Sequence, residues 1–457
     1  MTKIGLKTLG VIIGVGATLA LGLDPGPSEG APARSRPLVI LPFQATSPGE
    51  TESWIGEGVA EALHLAFTRV SAVLPVDRAR LEQARQAAKA SSFPSDERGA
   101  ATLAKALQAD LVFFGTYRRE PEGNVILQAR YLDVKGGEGR PVEVVRGPVE
   151  RLLELQGDLV GNYLKALRLS AKPDEAQAIA AAARPTVSLV AYEAYVRGRR
   201  LSRERTRSGF EGASELYSRA VEVDPGFAVA HFHLGMAQLA LGNRWKAAAQ
   251  FRAASQTDPR LPEPYQALGD LFMKGPRRLY DQAIEAYQKA IALRPHFADA
   301  YVGLGDARAA KGDHEGALAE YNRALAVDAS SARVHLSMGK IYYNDKGLYY
   351  EAVASYRKAI DIDPQLLEAR MGLGEIFEEK GLYKDAITEY QKVVDADPGH
   401  TGALYNLALA YEKVDVKQAI LHWERYIALA SGIPTEKDWV DVARQHLRKL
   451  RAMEKKE

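Results

Sequence analysis

The segment YQALGDLF at residues 265–272, followed by AIEAY at 283–287 and RP at 294–295, decides the fold of this chain. Similar segments recur at intervals of 34 to 36 residues, and each ends in a dipeptide that is usually Asp-Pro. The second residues of these dipeptides are Pro225, Pro259, Pro295, Ala329, Pro364 and Pro398. Proline stops a helix because its ring forces the residue before it out of helical geometry. The period therefore predicts stacked pairs of helices, which present a surface rather than house a reaction.

Two further columns of residues indicate how these pairs pack. The first helix of each unit carries a small residue, namely Gly235, Gly269, Gly305, Gly339, Gly374 or Ala408. The second helix carries an alanine and, four residues later, a large ring: Phe251, Tyr287, Tyr321, Tyr356, Tyr390 or Trp423. Residues four apart share one helix face. Each glycine is therefore predicted to let the helices approach closely, and each ring to fill the gap between neighbouring pairs.

These columns resemble the tetratricopeptide-repeat (TPR) pattern of aromatic-x2-Leu-Gly-x2-Tyr, Ala-x3-Phe and Pro. Six units run over residues 228–430, and a looser one precedes them, so the solenoid is predicted over 187–430. The resemblance implies an all-α TPR superhelix, a right-handed α-solenoid whose concave groove binds protein. Residues 431–457 are predicted to form a capping helix and a basic tail, because a solenoid needs a polar end to stay soluble.

Residues 36–170 predict a mixed α/β domain with the order β-α-β-α-α-β-β-β-α. The nearly all-apolar run at 37–43 suits a strand that is buried on both faces. The motifs Leu41-Pro42-Phe43 and Ala106-x2-Ala109-Asp110-x4-Gly115 resemble the amino-terminal domain of TolB and FlgO-type envelope domains. Residues 171–186 are predicted to be a linker with a helical, alanine-rich centre, which favours a loosely hinged pair of domains.

The first 33 residues predict either a signal peptide or an uncleaved membrane anchor. Lys3 and Lys7 precede an apolar run at 9–23, which is short for a membrane span of ~20 residues. Ala31-Pro32-Ala33 offers a cleavage site. The predicted location is therefore the periplasm or cell envelope, with an inner-membrane anchored protein as the alternative.

Composition and motifs argue against catalysis. The net charge of +2 gives no overall attraction to nucleic acid or anionic membranes, and the absence of cysteine excludes disulfides and thiolate chemistry. There is no phosphate-binding loop, dinucleotide fingerprint or His-Glu-x2-His motif. His231 and His233 lie two apart on a helix and cannot share a metal. We expect no enzyme activity, no catalytic residues, no cofactor and no metal site.

The candidate binding surface is the predicted groove. In the TPR family, the start of each first helix and the residue after the glycine column face it. Here these positions are mostly acidic, interrupted by two cations: Glu263, Asp270, Asp299, Asp306, Arg333, Lys340, Glu368 and Glu375. The N-terminal end is apolar, with Val229, Phe232, Met236 and Leu239. This pattern suggests a groove for an extended or helical peptide with an apolar anchor and basic residues, or else a merely solvated inner face.

Two basic runs, at residues 197–207 and 444–456, favour solvated faces over nucleic-acid or lipid binding, because glutamates interrupt them and stacking aromatics are absent. The sequence thus predicts a non-enzymatic exported adaptor that binds a protein partner through the groove in the bacterial cell envelope. It predicts no nucleic-acid partner, and membrane contact only through an uncleaved leader. The alternative is a regulatory or sensor module of a signalling system whose output domain is on another chain.

Overall fold

The computed structural model describes residues 35–46, 54–90, 92–275 and 278–454, so the predicted leader lies outside the described residues. The first part is a mixed sheet with helices on both faces. Its strands are β1 (Arg36–Ile40), β2 (Gln44–Ala45), β3 (Val73–Pro75), β4 (Leu111–Arg119), β5 (Asn124–Asp133), β6 (Gly139–Pro141) and β7 (Val145–Pro148). Its helices are α1 (Trp54–Phe67), α2 (Arg78–Ala87), α3 (Glu97–Ala106) and α4 (Leu152–Ala166).

The sheet begins with crossovers and ends in an antiparallel meander, which agrees with the predicted order of strands and helices. Strand β1 pairs in parallel with β3 and β4, and β4 pairs antiparallel with β5. Along β1, Leu38 and Ile40 join the core under α1 and α4, whereas Val39 joins the core under α2 and α3. The apolar run that opens this region is therefore buried on both faces.

The end of the sheet differs in detail from the prediction. The last strand of the predicted order is instead two short strands, because the chain leaves the sheet at the exposed residues Glu143 and Val144. Strand β6 pairs with one end of β5 and β7 with the other. Strand β2, which the sequence analysis missed, is two residues long and pairs with β4.

The predicted linker is a packed helix, α5 (Pro173–Ala183). It lies against α1, and its Ile179 and Ala183 are buried in the same core. Helix α1 buries residues around its whole circumference, so it needs neighbours on every side. Alanine-rich α5 can approach it closely. The expected loose hinge is therefore wrong, although the helical centre of the segment is confirmed.

Helix pairs follow from residue 189 to 430. The helices are α6 (Leu189–Ser202), α7 (Arg207–Val223), α8 (Ala228–Ala240), α9 (Arg244–Thr257), α10 (Glu263–Lys274), α11 (Tyr280–Leu293), α12 (Ala298–Ala310), α13 (His314–Val327), α14 (Ala332–Lys340), α15 (Tyr349–Ile362), α16 (Leu367–Glu379), α17 (Tyr383–Ala396), α18 (Thr401–Tyr411) and α19 (Val416–Ala430). Each even-numbered helix and the next one form one unit, and we number these units one to seven from the N-terminus. A mixed α/β region followed by a TPR solenoid is the predicted fold class, and it is confirmed.

The packing role of the glycine and ring columns is visible at Tyr287. A Cβ atom on Gly269, in the same unit, would lie 2.7 Å from its ring, and one on Gly303, in the next unit, would lie 2.4 Å away. The ring is thus held between the first helices of two neighbouring units. This arrangement carries the stacking from unit to unit.

The longer intervals between repeats arise in the segments that join paired helices. Residues Ile341–Asp345 form a π-helical turn between α14 and α15. A final helix, α20 (Lys437–Glu454), lies where the sequence predicts a capping helix, and it buries Val440, Ala443, Leu447 and Leu450. None of the helices within the described residues is long and apolar enough to cross a membrane.

Candidate functional site

The first helices of neighbouring units pack against one another, as α10 does against α12 and α14 against α16. We call the side chains of these helices the first-helix layer. All the predicted groove residues lie on it. They are Val229, Phe232, Met236 and Leu239 on α8, Glu263 and Asp270 on α10, Asp299 and Asp306 on α12, Arg333 and Lys340 on α14, and Glu368 and Glu375 on α16.

The two cations among the predicted groove residues are paired within the protein. Arg333 donates to Asp306 at 2.5 Å, and Lys340 donates to Glu368 at 2.8 Å, so both pairs bridge neighbouring units. The side chains of Arg333, Lys340 and Glu368 are exposed. Exposed pairs contribute about 0–1 kcal/mol. A cationic partner can therefore compete for these carboxylates at little cost.

In a second group of carboxylates, burial outweighs the effect of the nearby cations. Burial raises the pKa of Asp270, Asp299 and Glu375, and Glu378 adds to the effect on Glu375. Burial also raises the pKa of Glu378 itself. A raised carboxyl pKa means that the ionised form is less well stabilised there than in water. A partner cation would supply the missing charge.

The hydroxyls of the ring column orient two of these carboxylates. Tyr287 donates to Asp270 at 2.6 Å, and Tyr390 donates to Glu378 at 3.0 Å. Sequence reasoning missed Glu378. It lies three residues after Glu375, and residues three apart share one helix face, so this spacing offers a signal for it.

Glu263 has a different environment from the other predicted acids. It lies between Arg69, which follows α1, and Arg294, which follows α11, with the nearest atoms 3.0 and 2.8 Å away. Burial alone would raise the pKa of Glu263, but Arg69 and Arg294 lower it to about 2. This carboxylate therefore joins the α/β region to the third unit and has no charge left to offer a partner.

The apolar end of the layer is closed on one side by the α/β region. Val229 is buried in the core that the α/β region shares with the first units of the solenoid, and Phe232 packs against that shared core. Leu239 is half-buried and Met236 is 42% exposed. All four line a cavity of about 650 Å3. The opposite wall comes from α1, the residue that follows it and the start of α2. Its residues are His64, Leu65, Thr68, Asp77, Arg78 and Ala79. Sequence reasoning missed this wall.

Part of the N-terminal basic run is internal rather than solvated. Arg199 donates to Glu61 at 2.9 Å, and Arg203 donates to Glu57 at 2.8 Å. The pairs join α6 and the residue that follows it to α1, and the two glutamates and the two arginines share the same four-residue spacing. Burial opposes ionisation of Glu61, but Arg199 and other nearby arginines hold its pKa well below the usual value. The structure thus corrects the solvated interpretation for Arg199 and Arg203.

In the part of the chain that the structure describes, no group of three or more His, Asp or Glu side chains is arranged to hold a metal ion. The layer presents carboxylates, the exposed ion pairs of Arg333 and Lys340, and an apolar cavity. Such an arrangement suits recognition of a charged chain segment.

Family comparisons match the helical part of the chain. Residues 280–312, 305–345 and 343–381 match one TPR-repeat family model. Residues 202–262 and 367–400 match two further models of the tetratricopeptide repeat. No curated protein matches the chain.

Solved structures with similar repeats include MamA, at 30% identity and a TM-score of 0.32, where the match covers 36% of this chain and 95% of that one. A thermophilic TPR protein of Thermus thermophilus matches at 26% identity and a TM-score of 0.34, covering 40% of this chain and 99% of that one. YrrB, described as a TPR protein with an unusual peptide-binding site, matches at 21% identity and a TM-score of 0.35, covering 43% of this chain and 99% of that one.

Proposed function

We propose that this chain, which belongs to the tetratricopeptide-repeat proteins, is a non-enzymatic adaptor that binds a protein partner along its first-helix layer. Proteins built from these repeats are generally interaction scaffolds without catalytic activity. The proposed partner segment carries basic residues and an apolar anchor. No nucleic acid is part of the proposal.

The observation that carries the proposal is a set of carboxylates whose burial is not offset by the nearby cations. Asp270, Asp299, Glu375 and Glu378 lie on one layer across three units and have pKa values raised by burial. Retaining several poorly stabilised charges on one surface costs folding free energy. A cationic partner that binds there would gain from stabilising them, and electrostatic complementarity would set its register.

Binding can be measured by fluorescence anisotropy with two labelled peptides. The first carries one tryptophan followed by alternating lysine and alanine, and the second has glutamate in place of each lysine. We expect the lysine peptide to bind, with an affinity that falls as salt is raised, because salt screens exposed charges. The glutamate peptide should not bind. Equal binding of both peptides, or of neither, would contradict the proposal.

We further propose that the adaptor works in the bacterial cell envelope. The support is the leader-like sequence at residues 1–33, with its basic flank, short apolar run and Ala31-Pro32-Ala33. The test is to recover the tagged protein from gently crosslinked cells and to sequence its N-terminus. A mature start near Arg34 and an envelope partner would support export. An intact Met1 with signalling partners would favour the sensor-module alternative.

A further inference from the structure

We propose that the α/β region forms one wall of the partner site. In this proposal, which rests on the proposed function, a large apolar side chain of the partner inserts between α2 and α8. The partner's basic residues then run along the first-helix layer, from Asp299 and Asp270 towards α16. The α/β region thereby acquires a role in recognition.

The wall is held in place by contacts with several units. Tyr192 of the first unit donates its hydroxyl to the Gly58 carbonyl oxygen at 2.7 Å. Arg69 reaches Glu263 of the third unit, and His296, just before the fourth, lies 3.0 Å from the Thr68 carbonyl oxygen. These contacts fix α1 relative to the first, third and fourth units. A wall that is already fixed does not have to be ordered when a partner binds, which lowers the entropic cost of binding.

The cavity has the size and lining for an apolar anchor. Its volume of about 650 Å3 lies within the usual range of about 300–1,000 Å3 for ligand pockets. Leu65 contributes from the α/β side, and Phe232, Met236, Leu239 and Phe297 contribute from the solenoid. Methionine is flexible and adapts to different shapes. The exposed Met236 side chain can therefore close on the inserted side chain.

The charges that line the cavity indicate which residues of the partner lie next to its apolar anchor. Within the cavity, Glu61 and Glu263 are already paired with arginines. Asp299 also lines the cavity, and burial raises its pKa although Arg294 acts to lower it. The row of carboxylates with raised pKa values therefore begins with Asp299, at the edge of the cavity. An apolar residue next to cations is the segment that fits both features.

The test fills the cavity from the α/β side. Ala79 lines the cavity at the start of α2 and is half-buried, whereas Ala87 on the same helix is exposed and outside it. We expect Ala79→Trp in the full chain to lower the affinity for the tryptophan–lysine peptide at least about tenfold, equivalent to about 1.4 kcal/mol. The same variant should not change binding of a lysine peptide with alanine in place of tryptophan. Ala87→Trp should change neither.

The outcomes separate this inference from the proposed function. If Ala79→Trp leaves the tryptophan–lysine peptide unaffected while acid-to-amide variants of the layer still weaken it, the wall is excluded and groove binding stands. If neither peptide binds the wild-type chain, both are overturned. Should Ala79→Trp melt at a lower temperature than Ala87→Trp, Leu65→Ala tests the same wall by removing apolar contact. Unchanged affinity in that variant would overturn the inference.

Discussion

Arg69 donates both of its terminal nitrogens to the two carboxylate oxygens of Glu263, at 3.0 and 3.1 Å. The two residues are 194 positions apart, and the contact joins the end of α1 to the start of α10. Arg294 reaches the same carboxylate at 2.8 Å. A predicted binding acid is thus an internal bridge, and the α/β region is fixed at the apolar end of the first-helix layer.

The first prediction concerns stability through this bridge. Glu263→Gln should lower the free energy of unfolding at pH 7 by about 3 kcal/mol, because it leaves two buried guanidinium groups without their anion. The carboxyl pKa of about 2 is below the ordinary 4.5. Its contribution is therefore present above about pH 4.5 and is lost as pH falls towards 2. Urea unfolding of both proteins across this range should show their difference shrinking.

The matched control for this variant is Glu368→Gln. Glu368 is exposed and pairs only with the exposed Lys340. Its loss should change the free energy of unfolding by less than about 1 kcal/mol. Equal effects of the two substitutions would show that the buried bridge adds no more than a surface pair.

The solenoid could be predicted from sequence because its signal is local and repeated. Gly269 and Tyr287 lie 18 residues apart within one unit, and the same pairing recurs in the following units. The β1–β4 core was also predictable, since an apolar strand buried on both faces has its own composition. Such features need no knowledge of distant parts of the chain.

The docking of the α/β region could not be predicted in the same way. Arg69, Glu61 and Glu57 give no sign in the local sequence that their partners lie on α6 and α10. Residues 171–186 resemble a linker by composition, and only the all-round burial of α1 explains why α5 packs there. The pattern of a single sequence shows which face of a helix or strand is apolar, but it does not show which distant helix or strand packs against that face.

The second prediction is that two carboxylates of the first-helix layer lower the stability of the fold but strengthen peptide binding. The double variant Glu375→Gln, Glu378→Gln should melt slightly higher at pH 7. The reason is that carboxyl groups with raised pKa favour the folded state only below their unfolded pKa and oppose it once ionised. The same variant should bind the tryptophan–lysine peptide about 3- to 10-fold more weakly. Thermal melts and anisotropy titrations measure the two effects.

Glu285→Gln supplies the comparison for this pair. Glu285 is exposed on the second helix α11, and its replacement should leave both melting temperature and peptide affinity unchanged. A double variant with unaltered affinity would exclude Glu375 and Glu378 from the partner site.

The third prediction tests the ring column. Gly269→Ala should destabilise the protein by about 1–3 kcal/mol, because the new methyl group would lie 2.7 Å from the Tyr287 ring. The ring cannot retreat towards the next unit, where Gly303 already contacts it. Gly161→Ala on α4 is the matched control, since nothing lies within 4 Å of its added Cβ. That change should stabilise by up to about 1 kcal/mol through helix propensity.

The fourth prediction separates the roles of two apolar side chains on α8, Phe232 and Met236. Phe232 packs on Phe251 with ring centroids 5.8 Å apart and also contacts the shared core, so Phe232→Ala should lower the melting temperature as well as affinity. Met236 is 42% exposed, so Met236→Ala should weaken the tryptophan–lysine peptide while leaving the melting temperature nearly unchanged. The peptide with alanine in place of tryptophan should not distinguish Met236→Ala from wild type. If Met236→Ala weakens both peptides equally, its side chain does not contact the anchor, and the cavity is not where the anchor binds.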